Sequence, residues 1–299
     1  MTALPLLGIA AALGSAAAWA VGALLFRRIG DFASPLGMNL GKGLLGLPFL
    51  GLALLVAGWA PMDRASAAWL AASGLVGIAL GDTLFFMALV RLEARLTLLL
   101  ATVGQAFTVL LAVVVRGERP SLATGLGLVL VVGGVTWVVA EGVPREAGAA
   151  RTRRFAGLGW GLLSAACMSV GYLLADVGVE RVPTLQATFL RLGAGVAGLA
   201  VVGLARRSLC AWLRPFADPR RFGAILLAVL VVLFGGFWLS LVALRHAHLV
   251  VASVLMSTEP VFVLPLAAAF RGDRITARSL AGSLLAVAGV AVVVLARTG

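Results

Sequence analysis

The chain has 299 residues, is 62% hydrophobic with a mean hydropathy of +1.09, and carries 24 Lys and Arg against 12 Asp and Glu, a formal charge of +12. So little polar surface excludes a water-soluble globule or a disordered chain and marks an integral membrane protein. In that setting the basic excess reports topology and does not point to a nucleic-acid partner.

Apolar runs long enough to span a bilayer, roughly 17 to 25 residues, are predicted near 4–26, 35–57, 68–90, 96–115 and 122–140. They recur at 156–178, 184–204, 222–243, 249–270 and 278–296. The runs are apolar all round, so the fold class expected is all-α, since strands of a barrel alternate apolar and polar positions. The first run has a small-residue stretch at Ala16, Ala17 and Ala18 but no basic residue before it, and it recurs in the second half, so it reads as a retained helix and not as a signal. The link from Glu141 to Phe155, with Pro144, Gly148 and four arginines, reads as a surface connection. Cys167 and Cys210 give neither a metal spacing nor a disulfide framework, and no cofactor is expected.

The two halves match element by element. Gly8, Ser15, Gly22, Asn39, Lys42 and Gly46 fall on Gly157, Ser164, Gly171, Thr188, Arg191 and Gly195. With a slightly larger offset, Gly81, Leu100, Phe107 and the run Arg116 to Arg119 fall on Gly236, Leu255, Phe262 and the run Arg271 to Arg274. Such a duplication is the mark of a transporter built from internal repeats, here 1–146 and 147–299. Five helices per repeat force the second to enter the membrane from the opposite side. The expected architecture is therefore ten transmembrane helices as two inverted repeats around a central cavity, with access alternating by rocking of one bundle against another.

The loops after the first, third, fifth, seventh and ninth runs hold most of the arginines, among them Arg27, Arg28, Arg91, Arg153, Arg206 and Arg221. By the positive-inside rule these loops are cytoplasmic and both termini external, the expected location being the cytoplasmic (inner) membrane.

Two cations fall inside the spans: Lys42, the single lysine, and its repeat counterpart Arg191. Asn39, Lys42 and Gly46, like Thr188, Arg191 and Gly195, share one helix face. Inversion would place the two cations on opposite sides of the midplane, about 6 Å from it, bracketing a cavity. A lipid-facing cation at that depth costs at least about 3 kcal/mol, so contact with substrate or coupling ion competes with snorkelling or pairing to an acid. Asp82 and Glu259 are the acids placed well inside spans; either could carry a coupling proton, meet a substrate amine, or bond backbone freed at a helix break.

Trp19, Tyr172 and Trp238 could stack on an aromatic substrate or simply pack. Gly37/Gly41, Gly77/Gly81 and Gly157/Gly161 fit a close-contact spacing that also arises by chance. Pro48, Pro260 and Pro265 lie within predicted helices, and Pro260 and Pro265 are the candidate gating kinks. His246 and His248 read as solvated loop residues.

The segment Ser257, Thr258, Glu259, Pro260, Val261, Phe262, followed by Arg271, Gly272, Asp273, Arg274 and a last helix bearing Gly282 and Gly289, resembles the EamA family of the drug/metabolite transporter superfamily. Phe107, Gly117, Glu118, Arg119, Gly127 and Gly134 resemble the same repeat. The resemblance covers essentially the whole chain, and departs from the motif where Gly104 and Gln105 stand in place of Glu259 and Pro260. It implies secondary transport, with export of small metabolites and amino acids, including aromatic ones, as the leading class. The residues agree with it: a zwitterion needs a cation for its carboxylate, from Lys42 or Arg191, and an acid for its amine, from Asp82 or Glu259. An exporter of organic anions or amphipathic drugs is the alternative. A membrane enzyme lacks any matching motif, and a channel does not need the inverted duplication.

Overall fold

The computed structural model describes residues 3–92, 94–116, 121–141, 148–180, 182–247, 249–256, 258–271 and 276–298, and among them there are helices and no strand. Helix α1 (Ala3–Ile29) leads into α2 (Pro35–Ala57), where Ser34 caps the start by accepting from the Gly37 N–H at 3.2 Å. Pro35 opens α2 because its missing donor is one the first turn leaves unused anyway. Asp63 caps α3 (Arg64–Ser73) through the Ser66 N–H at 2.7 Å. The same helix continues as a π-helical stretch, Gly74–Asp82, into α4 (Thr83–Leu89). Helices α5 (Ala94–Arg116) and α6 (Leu122–Glu141) complete the first half.

The second half opens with α7 (Ala149–Val179) and α8 (Thr184–Ala205). A short α9 (Leu209–Leu213) and a 3-10 turn (Arg214–Ala217) follow. Then come α10 (Pro219–Leu230), a second π-helical stretch (Val231–Trp238) and α11 (Leu239–His246). Helices α12 (Leu249–Met256), α13 (Glu259–Arg271) and α14 (Ala277–Thr298) end the chain. Six continuous runs, at 6–29, 35–57, 64–89, 151–179, 184–205 and 219–246, are long and apolar enough to cross a membrane.

Four features differ from the sequence reading. Helix α7 begins at Ala149, several residues before its apolar run, because an arginine-rich turn in water costs the helix nothing and hydropathy does not register it. The segment after α8 folds back under the bundle, burying Trp212 and Phe216 against Gly37 and Gly41 of α2. The third helix of each half is widened into π geometry at matching places, Gly81 and Gly236 lying near the end of each stretch. Pro260 does not interrupt a continuous helix: α12 ends at Met256, α13 starts at Glu259, and Pro260 is the second residue of α13, whereas Pro48 and Pro265 lie in helix interiors. Ser257, residues 117–120 and residues 272–275, which carry parts of the motif, lie outside the described residues.

The packing is reciprocal between the halves. Helix α1 packs on the π-helical stretch and α11 of the second half, and α7 packs on α3, the π-helical stretch and α4 of the first. Gly22 of α1 faces Val232, and its counterpart Gly171 faces Gly77, where an added Cβ would stand 2.8 Å from the Gly77 Cα. The hydrogen bonds obey the same exchange. Ser15 donates to the Gly236 carbonyl at 2.9 Å, and its counterpart Ser164 donates to the Gly81 carbonyl at 2.8 Å. A π-helical turn holds one residue more than an α turn and leaves carbonyls off the regular ladder, and a buried carbonyl must find a donor.

Equivalent helices meet each other antiparallel. In α2 and α8, Gly43 faces Val196, Gly46 faces Leu192 and Gly51 faces Phe189. In α6 and α14, Gly134 faces the Gly282 carbonyl and Ala286, while Gly289 faces the Gly127 carbonyl and Val131. One sequence rises as the other falls in both pairs, so the two-fold relating the halves runs across the helices and not along them.

Candidate functional site

Among the described residues, the interior holds two polar centres, and a cavity lies beside them. Lys42 of α2 and Asp82, at the end of the π-helical stretch, form an ion pair with both side chains about 1% exposed. The Lys42 Nζ also lies 4.7 Å from the centroid of the Phe237 ring and 5.3 Å from that of Phe86. Asn39, one turn earlier on the same face, donates to the Ile78 carbonyl at 2.7 Å and to the Thr83 Oγ1 at 2.9 Å. It serves the backbone of the π-helical stretch. Arg191 of α8, 4% exposed, donates through Nε to the Ser73 Oγ at 2.9 Å, and that hydroxyl donates to the Gly171 carbonyl at 2.6 Å. Both intramembrane cations therefore end on the helix that runs from Arg64 to Leu89.

The cavity is a separate feature of about 50 Å³, bounded by α1, α4, α5, α7 and the break between α12 and α13. Such a space takes roughly three or four waters and no metabolite. Its wall contains three pairs of equivalent residues, Trp19 with Met168, Ala101 with Met256, and Gly104 with Glu259. A cavity lined by both members of each pair sits where the two halves meet, on the axis that relates them.

Neither Lys42 nor Arg191 lines this cavity, although the sequence reading has them bracketing it. Each stands one aromatic ring behind the wall. Lys42 lies against Phe237, which packs edge-on to Trp19 with ring centroids 5.1 Å apart. Arg191 lies 5.9 Å from the centroid of the Tyr172 ring. Trp19 and Tyr172 form part of the wall, with Phe85, whose ring meets Trp19 at 6.2 Å. Glu259, first residue of α13, is the one charged residue on the wall among those described. Trp238 meets Phe234 edge-on and does not line the cavity, and the Gln105 side chain lies outside the described residues. Pro260 is buried directly behind Glu259, while Pro265 faces outward.

Among residues that sequence reading passed over, Thr102 and Thr108 on α5 and Ser164 and Ser169 on α7 also line the wall. Each hydroxyl proton is donated to a backbone carbonyl, at distances of 2.6 to 3.0 Å. The signal for Ser164 was present in its pairing with Ser15, which singles out a hydroxyl retained in both halves of an apolar helix. The other three have no such mark.

The model of the EamA-like transporter family matches this chain twice, over residues 6–140 and 155–295. The chain belongs to the EamA-like transporter family. It is thereby a member of the drug/metabolite transporter superfamily, a multi-pass membrane transporter of small molecules and not an enzyme. A solved structure described only as "Crystal structure of protein" has a TM-score of 0.70 to it at 20% identity, covering 100% of this chain and 99% of the other. At that identity the likeness speaks for the fold alone. Among curated proteins, none matches the chain. The repeated family match falls on the same two halves whose helices exchange partners in the structure.

Proposed function

We propose that this EamA-like protein is a secondary transporter that exports small amine-bearing metabolites, amino acids among them, across the cytoplasmic membrane by alternating access. The observation that carries the reading is the cavity on the two-fold axis, lined by equivalent residues of both halves. In an inverted-repeat transporter that is where a solute can be reached from either side by rocking the halves. The ten segments at 3–29, 35–57, 64–89, 94–116, 122–141, 149–179, 184–205, 219–246, 249–271 and 277–298 all cross the bilayer in this reading, as repeats 1–146 and 147–299 with both termini external.

The cavity is too small here to admit a metabolite, and its loading requires an element to move. The break between α12 and α13 supplies one: the ladder is already interrupted at Thr258, and Pro260 brings no donor to restore it. Glu259 is the group positioned to meet an amine or to carry a coupling proton. Lys42 and Asp82, which occupy one another, hold the bundle in this conformation and become available to substrate only if their pair opens.

Counterflow in proteoliposomes tests the reading across amino acids, organic anions and cationic drugs. Saturable exchange of at least one class, lost when the cavity is filled by Gly104→Phe, is the expected result. Unsaturable flux that does not depend on solute on the far side would indicate a channel.

A further inference from the structure

Resting on the reading of the axial cavity as the substrate site, we infer that it recognises the ammonium group of an aromatic amine and that its described residues offer no counter-charge to a carboxylate. The preferred class is a primary amine on an aromatic body, ahead of the amino acid with the same side chain.

A hydroxyl has one proton to donate and two lone pairs that accept. Thr102 donates to the Leu99 carbonyl at 2.6 Å, Thr108 and Ser169 donate to the Gly104 carbonyl at 3.0 and 2.6 Å, and Ser164 donates to the Gly81 carbonyl at 2.8 Å. With their protons committed to the backbone, all four present acceptor lone pairs. Glu259 adds the charged acceptor. Trp19 and Tyr172 on the same wall carry an N–H and an O–H, but the one charge there among the described residues is the Glu259 carboxylate, so an ammonium group, with three donors and no acceptor, complements this surface better than a carboxylate, which only accepts.

The charged donors that could bind a carboxylate are held away. Lys42 is paired with Asp82 behind Phe237, and Arg191 is engaged by Ser73 behind Tyr172. The rings facing inward, Trp19, Phe85 and Tyr172, give an apolar wall whose π faces also attract a cation. The asymmetry between the halves reinforces this polarity. Position 104 of the first half, equivalent to Glu259, is a glycine whose added Cβ would stand 3.1 Å from the Ala165 carbonyl, so one side of the axis has the carboxylate and the other has close-packed backbone.

Three probes that share a ring and chain length separate the possibilities: phenethylamine, phenylalanine and 3-phenylpropanoate. Equilibrium binding to the purified full chain is measured first, then counterflow in proteoliposomes with protein-free vesicles subtracting passive leakage. The expected ranking is phenethylamine tightest, phenylalanine about tenfold weaker or more, and phenylpropanoate weakest, with Glu259→Gln weakening phenethylamine by at least about tenfold, the scale of a lost charged hydrogen bond. The ranking on the unmodified protein decides the matter even if Glu259→Gln fails to fold. Phenylalanine or phenylpropanoate binding as tightly as the amine, no binding of any probe, or a folded Glu259→Gln with unchanged amine affinity would each overturn the inference. Amine binding without exchange would leave it standing and remove the transport reading, whereas saturable exchange of phenylpropanoate alone would do the reverse.

Discussion

Asp82 and Phe237 occupy equivalent places at the ends of the two π-helical stretches, and the Lys42 Nζ touches both, ion-paired with the first and 4.7 Å from the ring centroid of the second. One scaffold thus uses the same position twice, once as a counter-ion and once as an aromatic shield. A buried ion pair is costly to form, but removing one partner is costlier still because it strands the other charge. Asp82→Asn and Lys42→Met should each lower stability by about 3 kcal/mol, while the double variant Lys42→Met/Asp82→Leu should recover most of that loss. Thermal unfolding in detergent measures it. Single variants as stable as the parent would show that water reaches the pair.

The serines give a second test of the reciprocal packing. Ser15→Ala and Ser164→Ala each remove the donor to a buried π-helical carbonyl, Gly236 in one case and Gly81 in the other. Each should cost about 1 to 2 kcal/mol. Because the bonds share no partner, the double variant should lose the sum to within about 0.5 kcal/mol. A marked departure from additivity would mean that the two contacts form a single coupled element.

Much of this architecture was legible in the sequence, for reasons that also explain what was not. Apolar run length located the membrane helices, and Ser34, Asp63 and Asp218 mark helix starts by their capping side chains. The duplication pointed to an axial cavity. What it could not say is which residues on a polar face reach that cavity. Lys42 and Arg191 share the correct helix side with it but stop behind Phe237 and Tyr172, because ring placement depends on packing between helices far apart in sequence. The π-helical stretches carry no compositional sign either. Glu259 was identifiable, since an acid beside a proline in an apolar run is unusual, but its neighbours Thr102 and Ser169 look like any other small polar residues of a membrane helix.

Orientation can be read with a native reporter. Cys210 is exposed, in the arginine-bearing segment after α8 that is proposed to be cytoplasmic, and Cys167 is only partly exposed within α7. An impermeant maleimide should leave Cys210 unlabelled on intact cells and label it in inside-out vesicles, with Cys210→Ser as the control. Labelling on intact cells would place that segment outside and invert the proposed topology.

The break before α13 can be tested for motion. Pro260 occupies the second position of that helix, where its missing N–H leaves no bond unmade, and the turn at Thr258 is closed by its own Oγ1 donating to the Leu255 carbonyl at 2.8 Å. With alanine in its place, the ring clash that keeps α12 and α13 apart disappears, and a continuous helix becomes accessible at a gain on the order of the roughly 3 kcal/mol that proline costs a helix interior. If the break must open and close for the cavity to load, Pro260→Ala should slow exchange several-fold while changing equilibrium binding little. A cysteine at Thr258, in a protein carrying Cys167→Ala and Cys210→Ser, reports the same motion, because that position is 8% exposed in this conformation and should label faster once the helix parts. Labelling that is the same with and without a bound amine, together with unchanged exchange in Pro260→Ala, would make the break a fixed feature. The motion would then belong to α5, at Gly104, where the equivalent position meets the same cavity from the opposite side of the axis.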